Sequence, residues 1–510
     1  MVVTHNKKPG LFTAIGIGVG SMIGSGWLFS AYYAAKYIGP ASFFSWAIGA
    51  ILALILAMLL AEIAGIFQDK ALFTRLITVS HGNADFGFVI TLSGWLGLVL
   101  VIPTEASATV EYLSTIIPSL AHRLMEHQHH TWLGTACILA LVMMYSLLNF
   151  WGMRGFSKIS NLLAMFKIVI PVITALLLML ASFHPSNFVS QGFAPFGTKH
   201  ILSGVVVCGI FYTFYGFSLV AMYGKELKDP QKNIPRALVF SVLICFIIYS
   251  LLQAAFIGSL PISMVAQGWP QLNFTSPFAQ LLILLDIHFL SIWAIALYMD
   301  SAVSPSGTAI ICLNSAAETV TGMAEAHQFP QYFNKIHPVF QISYRSLTFT
   351  TLICCCTLLF FKNWHELMIL VSVFQVISCA SIPVAFTKLR HSSPNFERIY
   401  RVKMGKLLSY VIFVVLSFFL IKIDFFSLAV ALALYLGFFL VYALSYYHYV
   451  LTELYKAFYS SWSMFLYMAS ICIFAYLDQQ GLLEIKAVFY AFVLLMSINF
   501  WLMVHQKNHH

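Results

Sequence analysis

Charged residues are scarce in this chain. Asp, Glu, Lys and Arg make up 9% of its 510 residues, whereas soluble domains carry roughly 25%. Hydrophobic residues make up 60%. So few charges exclude a soluble globular domain, and the length is enough for about a dozen membrane spans of about 20 residues each. We therefore predict an all-α polytopic membrane protein.

The chain also lacks the sequence motifs of common enzyme classes. It contains no H-E-x-x-H, no G-x-S-x-G and no Cys–His pair at a plausible catalytic spacing. We expect no enzymatic activity, no cofactor and no cleaved signal peptide, since a polar Met1–Gly10 precedes a full-length span. The nine cysteines lie mostly in apolar runs, where packing explains them better than disulfide bonds.

Four histidines crowd one loop, at His122, His127, His129 and His130. This pattern leaves two interpretations, a metal site and a solvated polar loop. We favour the solvated loop, and we predict no metal site elsewhere.

Apolar segments recur along the whole sequence. Fourteen of them suggest 12–14 transmembrane helices, at 11–33, 41–67, 87–117, 132–150, 158–183, 201–224, 236–260, 289–323, 346–361, 365–388, 407–422, 425–447, 461–477 and 485–505. A run at 279–290 is either a separate amphipathic helix or the start of the eighth span. The gaps are short, so we predict a single integral membrane domain over residues 1–510.

Positive charge is distributed unevenly between the loops. Of the 27 Lys and Arg residues, Lys167 lies inside a span and twenty fall in one set of loops. Six fall in the other set, at Lys36, Arg123, Lys199, Lys362, Lys422 and Lys486. The positive-inside rule assigns the richer set to the cytoplasm, and an even span count then places both termini there. The asymmetry explains the net charge of +9 without nucleic acid as a partner.

The first apolar segment contains a run of small residues. Gly16 to Phe29 reads GIGVGSMIGSGWLF, with five glycines and two serines. Non-helical backbone at membrane depth is tolerated only where it is buried or lines a cavity. The run therefore indicates a helix that is interrupted at a transport site.

The sixth segment is also rich in glycine, and we expect Gly204, Gly209 and Gly216 to interrupt it. Two interrupted spans in corresponding positions are typical of an inverted five-plus-five repeat, which we place at 11–183 and 201–388, with additional helices at 407–505. The alternative is that these glycines only let helices pack closely. Their spacing of five spans favours the interrupted helices.

Interrupted helices expose backbone groups that suit a zwitterion. Amides at Gly24, Ser25 and Gly26 would bind a substrate carboxylate, because the start of a helix carries partial positive charge. The backbone of Ile23 and the carbonyls of Phe214 and Tyr215 would face its ammonium group. Aromatic side chains of Tyr212, Phe214 and Tyr215 would close over the ligand, beside Gly216 and Ser218.

A few charged residues fall inside the spans. Lys167 lies about nine residues into the fifth span, roughly 13 Å deep at 1.5 Å per residue. This is too deep for ordinary snorkelling, so we predict that Lys167 carries a proton during transport, with a structural ammonium as the alternative. Glu105 and Asp300 are either proton carriers or satisfied packing partners. We expect Glu62 and Glu111 at the membrane interface.

Several motifs together resemble the amino acid–polyamine–organocation (APC) superfamily of permeases. They are IGSG at Ile23–Gly26, Gly39-Pro40, NFWGMRGF at 149–156, FYTFYGF at 211–217, KELKDPQKNIPRAL at 225–238, SPSGT at 304–308 and FPQYFNKI at 329–336. The run PTEASATVEYL at 103–113 and the two extra C-terminal spans look most like the branch with aspartate–proton symporters.

The resemblance implies a LeuT-like fold with alternating access. It also implies that the ammonium of Lys167 takes the place of a bound sodium ion, with the hydroxyls of Ser304, Ser306 and Thr308 as neighbours. The chain departs from the family pattern at Ser218, where many relatives have an acidic residue. Glu318 and Glu325 stand where basic residues are usual, a reversal that would alter inner gating or a partner contact.

The residues and the resemblance together predict a secondary transporter of amino acids in a bacterial inner membrane, coupled to protons. Two alternatives are an exchanger of an amino acid for its decarboxylated amine, and a non-transporting sensor or structural subunit. The expected partners are an amino acid or amine, protons and the lipid bilayer. The sequence does not specify the side chain of the substrate or the oligomeric state.

Overall fold

The computed structural model describes residues 10–66, 72–116, 118–126, 128–150, 153–222, 227–340, 342–396, 398, 400–446 and 451–506. Within these ranges the α-helices are α1 (Leu11–Met22), α2 (Gly26–Ile38), α3 (Ser42–Ile66), α4 (Leu72–His81), α5 (Ala84–Ser114), α6 (Pro118–Leu124), α7 (Trp132–Phe150), α8 (Met153–Ala181), α9 (Gly197–Val207), α10 (Ile210–Phe214), α11 (Ser218–Met222), α12 (Pro230–Ser259), α13 (Ile262–Ala266), α14 (Pro277–Leu284), α15 (His288–Glu325), α16 (Tyr344–Thr357), α17 (Trp364–Ser392), α18 (Gly405–Leu420), α19 (Phe425–Tyr446), α20 (Leu451–Gln479) and α21 (Lys486–His505).

Short elements connect these helices. A two-stranded antiparallel hairpin pairs β1 (Met125–Glu126) with β2 (His129–His130). Turns of 3₁₀ helix lie at Gly39–Ala41, Pro185–Phe188, Tyr215–Phe217, Trp269–Gln271, Gln331–Asn334 and Leu482–Glu484.

The helices confirm the predicted all-α membrane fold. In the described part of the chain, eight helical stretches are long and apolar enough to cross a membrane by themselves, and the bent pair α9–α10 makes a ninth. One stretch, Gly26–Ile66, contains both α2 and α3. Within it, Gly39 ends α2 with a φ of +76°. All fourteen predicted segments contain a helix, although α1, α16 and α18 have only 12, 14 and 16 residues.

Two helices refine the predicted segments. Helix α4 lies between the second and third segments, where the sequence analysis placed no helix. The run at 279–290 is not the start of the eighth span, because α14 ends at Leu284 and α15 begins at His288. Asp286 lies between them with a φ of +51°, which a continuous helix cannot contain.

Helix α5 is the central helix of the fold. It packs against α15 and α17 more extensively than other helix pairs in the described residues pack together. The most apolar 18-residue stretches of α5 and α17 are both 94% buried. Nearly all residues of α5 are buried, so its polar residues lie away from lipid.

The C-terminal helices contact the start of α5 through hydrogen bonds. The buried carboxylate of Asp85 accepts from the hydroxyl of Tyr442 in α19 at 2.7 Å and from that of Ser460 in α20. Asn83, which caps α5, donates to the backbone carbonyl of Ser460 at 2.9 Å. These contacts join the additional helices to the central helix.

Some residues used in the sequence analysis lie outside the described ranges. They include Lys7, Lys8, Lys70, Lys225 and Lys507 from the count of basic residues, His127 of the histidine-rich loop, and Trp151 and Gly152 of the 149–156 motif. The last residues of the segments ending at 67, 117, 224 and 447 also fall there.

Candidate functional site

The first interruption separates α1 from α2. Helix α1 ends at Met22, and Ile23 takes an extended conformation with φ −82° and ψ 91°. Gly24 follows, and α2 begins at Gly26. A Cβ atom on Gly24 would lie 2.5 Å from Oε1 of Glu105, so glycine allows the close approach of this carboxylate.

The second interruption lies between α9 and α10, which are bent by 47°. Gly209 has a φ of +73°, a conformation that other L-residues rarely adopt. The predicted interruption at Gly204 is wrong, because this residue lies inside α9. At Gly216 the chain tightens into a 3₁₀ turn before α11.

The two interrupted helices touch each other through their backbones. The Ser21 hydroxyl donates to the carbonyl of Gly216 at 2.9 Å. A Cβ atom on Gly216 would lie 2.5 Å from the carbonyl carbon and oxygen of Ser21. In addition, the hydroxyl of Tyr249 lies 2.9 Å from the carbonyl oxygen of Met22 and 3.3 Å from that of Thr213. Both interruptions therefore form one polar region.

Glu105 of α5 lies at the first interruption. Its carboxylate accepts from the backbone amide of Ser25 at 2.7 Å and from the hydroxyl of Tyr212 at 2.5 Å. The side chain is 1% exposed. Glu105 thus binds the donor groups around the start of α2, where the sequence predicted a substrate carboxylate. The amide of Gly24 donates to the carbonyl of Met22 at 3.1 Å.

Lys167 of α8 reaches the same region from another side. Its ammonium group donates to the carbonyl of Gly20 and to the hydroxyl of Thr308, both at 2.7 Å. A Cβ atom on Gly307 would lie 3.3 Å from Cε of Lys167, so the lysine passes close to α15. One buried ammonium therefore joins α1, α8 and α15.

The other two predicted hydroxyl neighbours of Lys167 have different surroundings. Ser306 lies 2.8 Å from the hydroxyl of Tyr145. The Ser304 hydroxyl and both carboxyl oxygens of Asp300 are buried and have no hydrogen-bond partner in the described part of the protein. Of the three, only Thr308 bonds Lys167 in the described residues.

The predicted residues of the sixth segment are divided between the site and its surroundings. Tyr212 bonds Glu105 and also lies 3.4 Å from the hydroxyl of Ser25. The ring of Phe214 packs against Trp46 and Tyr249, with centroids 6.1 and 5.4 Å away. Ser218 donates to the carbonyl of Tyr215 at 3.2 Å, within its own turn. The structure thus brings Tyr212 to the first interruption and places Phe214 in packing contacts.

Glu62 and Glu111, which we expect at the membrane interface, are both buried in the protein and paired. Glu62 accepts two hydrogen bonds from Arg390, at 2.9 and 2.6 Å. Glu111 lies 3.1 Å from Nε2 of His130. The hairpin that contains His130 is thus anchored to α5, in contrast to a fully solvated loop.

Trp364 contributes to the site but was missed in the sequence. Its indole Nε1 donates to the hydroxyl of Ser25 at 2.8 Å, and its ring stacks on Phe29 with centroids 4.6 Å apart. Asn363 and Glu366 form a capping pair at the start of α17, since the side chain of Asn363 accepts from the amide of Glu366. The NWHE sequence therefore predicts where α17 starts, but not what Trp364 contacts.

Chemically, this region contains a carboxylate, an ammonium group, hydroxyls and helix ends in a buried setting. Charges buried at this depth are expensive and usually functional. Exchange of a proton at Glu105 or Lys167 would change which backbone groups are available to a ligand. The arrangement suits reversible binding of a small zwitterion.

Comparisons with known proteins agree with this geometry. A family model described as amino acid permease matches residues 10–452. The chain is 36% identical over 402 residues to the glutamate/serine transporter AimA of Bacillus subtilis, covering 78% of this chain and 74% of that protein. It is 27% identical over 414 residues to the aspartate-proton symporter of the same organism, covering 81% and 78%.

A methylthioribose transporter of B. subtilis is 23% identical over 405 residues, covering 76% of this chain and 82% of the relative. The family model covers most of the chain, including both interrupted helices. The chain therefore belongs to the amino acid permease family of the APC superfamily, and it is a multi-pass secondary transporter of amino acids.

Proposed function

We propose that this permease couples amino acid uptake to protons in the inner membrane of a bacterium, with the substrate bound at the two interrupted helices. Glutamate, serine and aspartate are the first substrates to test, because the relatives AimA and the aspartate-proton symporter are named for them. The observation that carries the proposal is the position of Glu105, which accepts from the Ser25 amide and the Tyr212 hydroxyl.

Coupling follows from competition between two carboxylates. The α-carboxylate of a substrate and the carboxylate of Glu105 both require the donors at the start of α2, and two anions repel each other in a buried site. Protonation of Glu105 removes its charge and weakens its hold on these donors. A proton and a substrate therefore bind together more favourably than either alone, which is the thermodynamic basis of symport.

Lys167 supplies the second half of the coupling. Its ammonium bonds Gly20 in α1 and Thr308 in α15, so it holds the end of α1 against the opposite repeat. Loss of its proton removes a charge-assisted hydrogen bond, which contributes roughly 1.5–3 kcal/mol. Proton release at Lys167 would then loosen α1 and favour the alternate conformation of the transporter.

The proposed orientation places both termini in the cytoplasm. It rests on the twenty basic residues in one set of loops against six in the other. In this orientation α6, the β1–β2 hairpin and the start of α17 face the outside.

Uptake into empty proteoliposomes tests the proposal. A gradient that is acidic outside by one pH unit should concentrate labelled L-glutamate, L-serine or L-aspartate up to about tenfold for one proton per substrate. Glu105→Gln and Lys167→Met should equilibrate substrate without concentrating it. Exposed Glu484→Gln and Lys486→Met are the matched controls and should behave as the unaltered protein.

Two outcomes contradict the proposal. Undiminished accumulation by both Glu105→Gln and Lys167→Met would show that neither residue couples transport to protons. Uptake that occurs only in vesicles preloaded with an amino acid or its amine would identify an obligatory exchanger instead.

A further inference from the structure

The first two residues of α17 contact both interrupted helices. Trp364 donates through Nε1 to the hydroxyl of Ser25, at the start of α2. The next residue, His365, donates through Nε2 to the carbonyl of Val207 at 2.9 Å, at the end of α9. A single turn of α17 therefore bridges the two helix ends that border the site.

Aromatic rings of α2 pack against both residues of this bridge. The ring of Trp364 stacks on Phe29 and on Tyr33, with centroids 4.6 and 5.7 Å away and interplanar angles of 20° and 17°. The ring of His365 stacks on Tyr33 at 4.4 Å. Trp364 is 0% exposed, so this layer separates the first interruption from the protein surface.

A surface cavity lies beside the start of α17. Its volume is about 550 Å³, and its lining includes His129, His130, Lys362 and Glu366. Lys362 and Glu366 flank Trp364 and His365 in the sequence, and His130 pairs with Glu111 beside them. The cavity therefore borders the start of α17 and the hairpin residue that contacts Glu111.

Glu111 of α5 holds this layer in place. Its Oε1 accepts from the backbone amide of Trp364 at 2.6 Å and from the hydroxyl of Ser107 at 3.1 Å. Nε2 of His130 lies 3.1 Å from both the Ser107 hydroxyl and Oε1 of Glu111. The amide of His130 also donates to the carbonyl of Lys362 at 2.7 Å. These bonds connect the β1–β2 hairpin to the start of α17.

We infer that Trp364 and His365 form a lid over the substrate site, and that Glu111, with Ser107 and His130, is its positioning unit. Opening of the lid would break the bonds to Ser25 and Val207 and admit an amino acid from the surface cavity. The inference rests on the proposed function only in placing the substrate below the lid. It also gives the histidine-rich loop a role, because His130 contacts Glu111, whose carboxylate accepts from the amide of Trp364.

Cys208 is a native reporter of the state of the lid. It follows Val207, its thiol donates to the carbonyl of Tyr33 at 3.5 Å, and it is 1% exposed. The rate at which N-ethylmaleimide alkylates Cys208 in the purified protein, measured by peptide mass spectrometry, should therefore report how often the lid opens. Peptide mapping separates Cys208 from the other eight cysteines.

Variants of the lid should change this rate in a defined order. Trp364→Phe keeps a stacked ring but loses the bond to Ser25, and Glu111→Ala removes the acceptor for the amide of Trp364. Each should raise the alkylation rate of Cys208 by about tenfold, since the lost bond favoured the closed lid. Glu111→Gln keeps an acceptor oxygen and should restore most of the slow rate.

Exposed residues away from the lid provide matched controls. Trp501→Phe alters an exposed tryptophan of α21, and Glu484→Ala alters an exposed glutamate that pairs with Lys199. Both should leave the rate unchanged. Equal rates for Trp364→Phe, Glu111→Ala and the unaltered protein would overturn the lid, and so would failure of Glu111→Gln to differ from Glu111→Ala.

Alkylation measured in the presence of substrate distinguishes failure of the lid from failure of the proposed function. Saturating L-glutamate or L-serine should slow alkylation of Cys208 in the unaltered protein if either binds below the lid. If the lid variants raise the rate but neither amino acid changes it, the lid is supported and the proposed substrate site is wrong.

Discussion

Replacing Gly216 by alanine tests the contact between the two interrupted helices. Gly216 has an ordinary negative φ, so alanine introduces no backbone strain. Its Cβ would lie 2.5 Å from the carbonyl carbon and oxygen of Ser21 and 2.7 Å from the amide of Met22. These are backbone atoms, and no side-chain rotation relieves the overlap.

The expected loss of stability combines two terms. Overpacking of a well-packed interior costs about 1–3 kcal/mol. Separation of the two backbones also lengthens the hydrogen bond from Ser21 to the Gly216 carbonyl, which contributes about 1 kcal/mol. We expect Gly216→Ala to lower the free energy of unfolding by about 2–4 kcal/mol and to reduce amino acid uptake by the folded fraction.

The control is Gly437→Ala in α19, where a Cβ meets no atom within 4 Å. This change should raise helix stability by up to about 1 kcal/mol. Unfolding of the purified proteins in mixed micelles, followed by tryptophan fluorescence, measures the difference. If Gly216→Ala unfolds with the same free energy as the unaltered protein, the two backbones do not meet as described.

Three further predictions address other contacts. Glu62→Gln removes the carboxylate that pairs with both Arg390 and Arg398, and the free energy of unfolding should fall by about 3 kcal/mol. Lys199→Ala, at an exposed pair, should cause no measurable change. Burial, together with the charge of a nearby lysine, lowers the pKa of His81 to about 3 from 6.5. The neutral ring of His81 therefore makes its full contribution to the free energy of unfolding above pH 6.5. This contribution is lost as the pH falls towards 3, by up to about 1.4 kcal/mol per pH unit. His81→Gln should reduce this pH dependence in unfolding measurements at pH 5–7. Tyr249→Phe removes the hydroxyl that bridges the two interruptions and should lower the free energy of unfolding by about 1 kcal/mol, while proton-driven accumulation of substrate keeps its dependence on pH.

Glycine and charge patterns carried most of the information in the sequence. Glycine has a low helix propensity, so the clustered glycines around Gly24 and Gly209 predicted interruptions without knowledge of the packing. The sequence did not separate the roles of Gly209 and Gly216. One needs a positive φ and the other a close backbone contact, and this difference exists only in three dimensions.

The partners of the buried charges were less predictable. Lys167 stood out as a deep lysine, and the resemblance to APC permeases implied Thr308 as its neighbour. The contact of Glu105 with the Ser25 amide depends on how α5 packs against the end of α1, and periodicity does not specify that packing. Trp364 could not be assigned to the site from the sequence, because aromatic residues near span ends are usually interfacial anchors.

Asp85 has a consequence for the biosynthesis of the transporter. Its two hydroxyl partners, on α19 and α20, lie 357 and 375 residues further along the chain. During translation, α5 therefore enters the membrane before these two hydroxyls have been synthesised. The start of the helix that carries Glu105 reaches its final environment only after α20 is inserted, late in the synthesis of the chain.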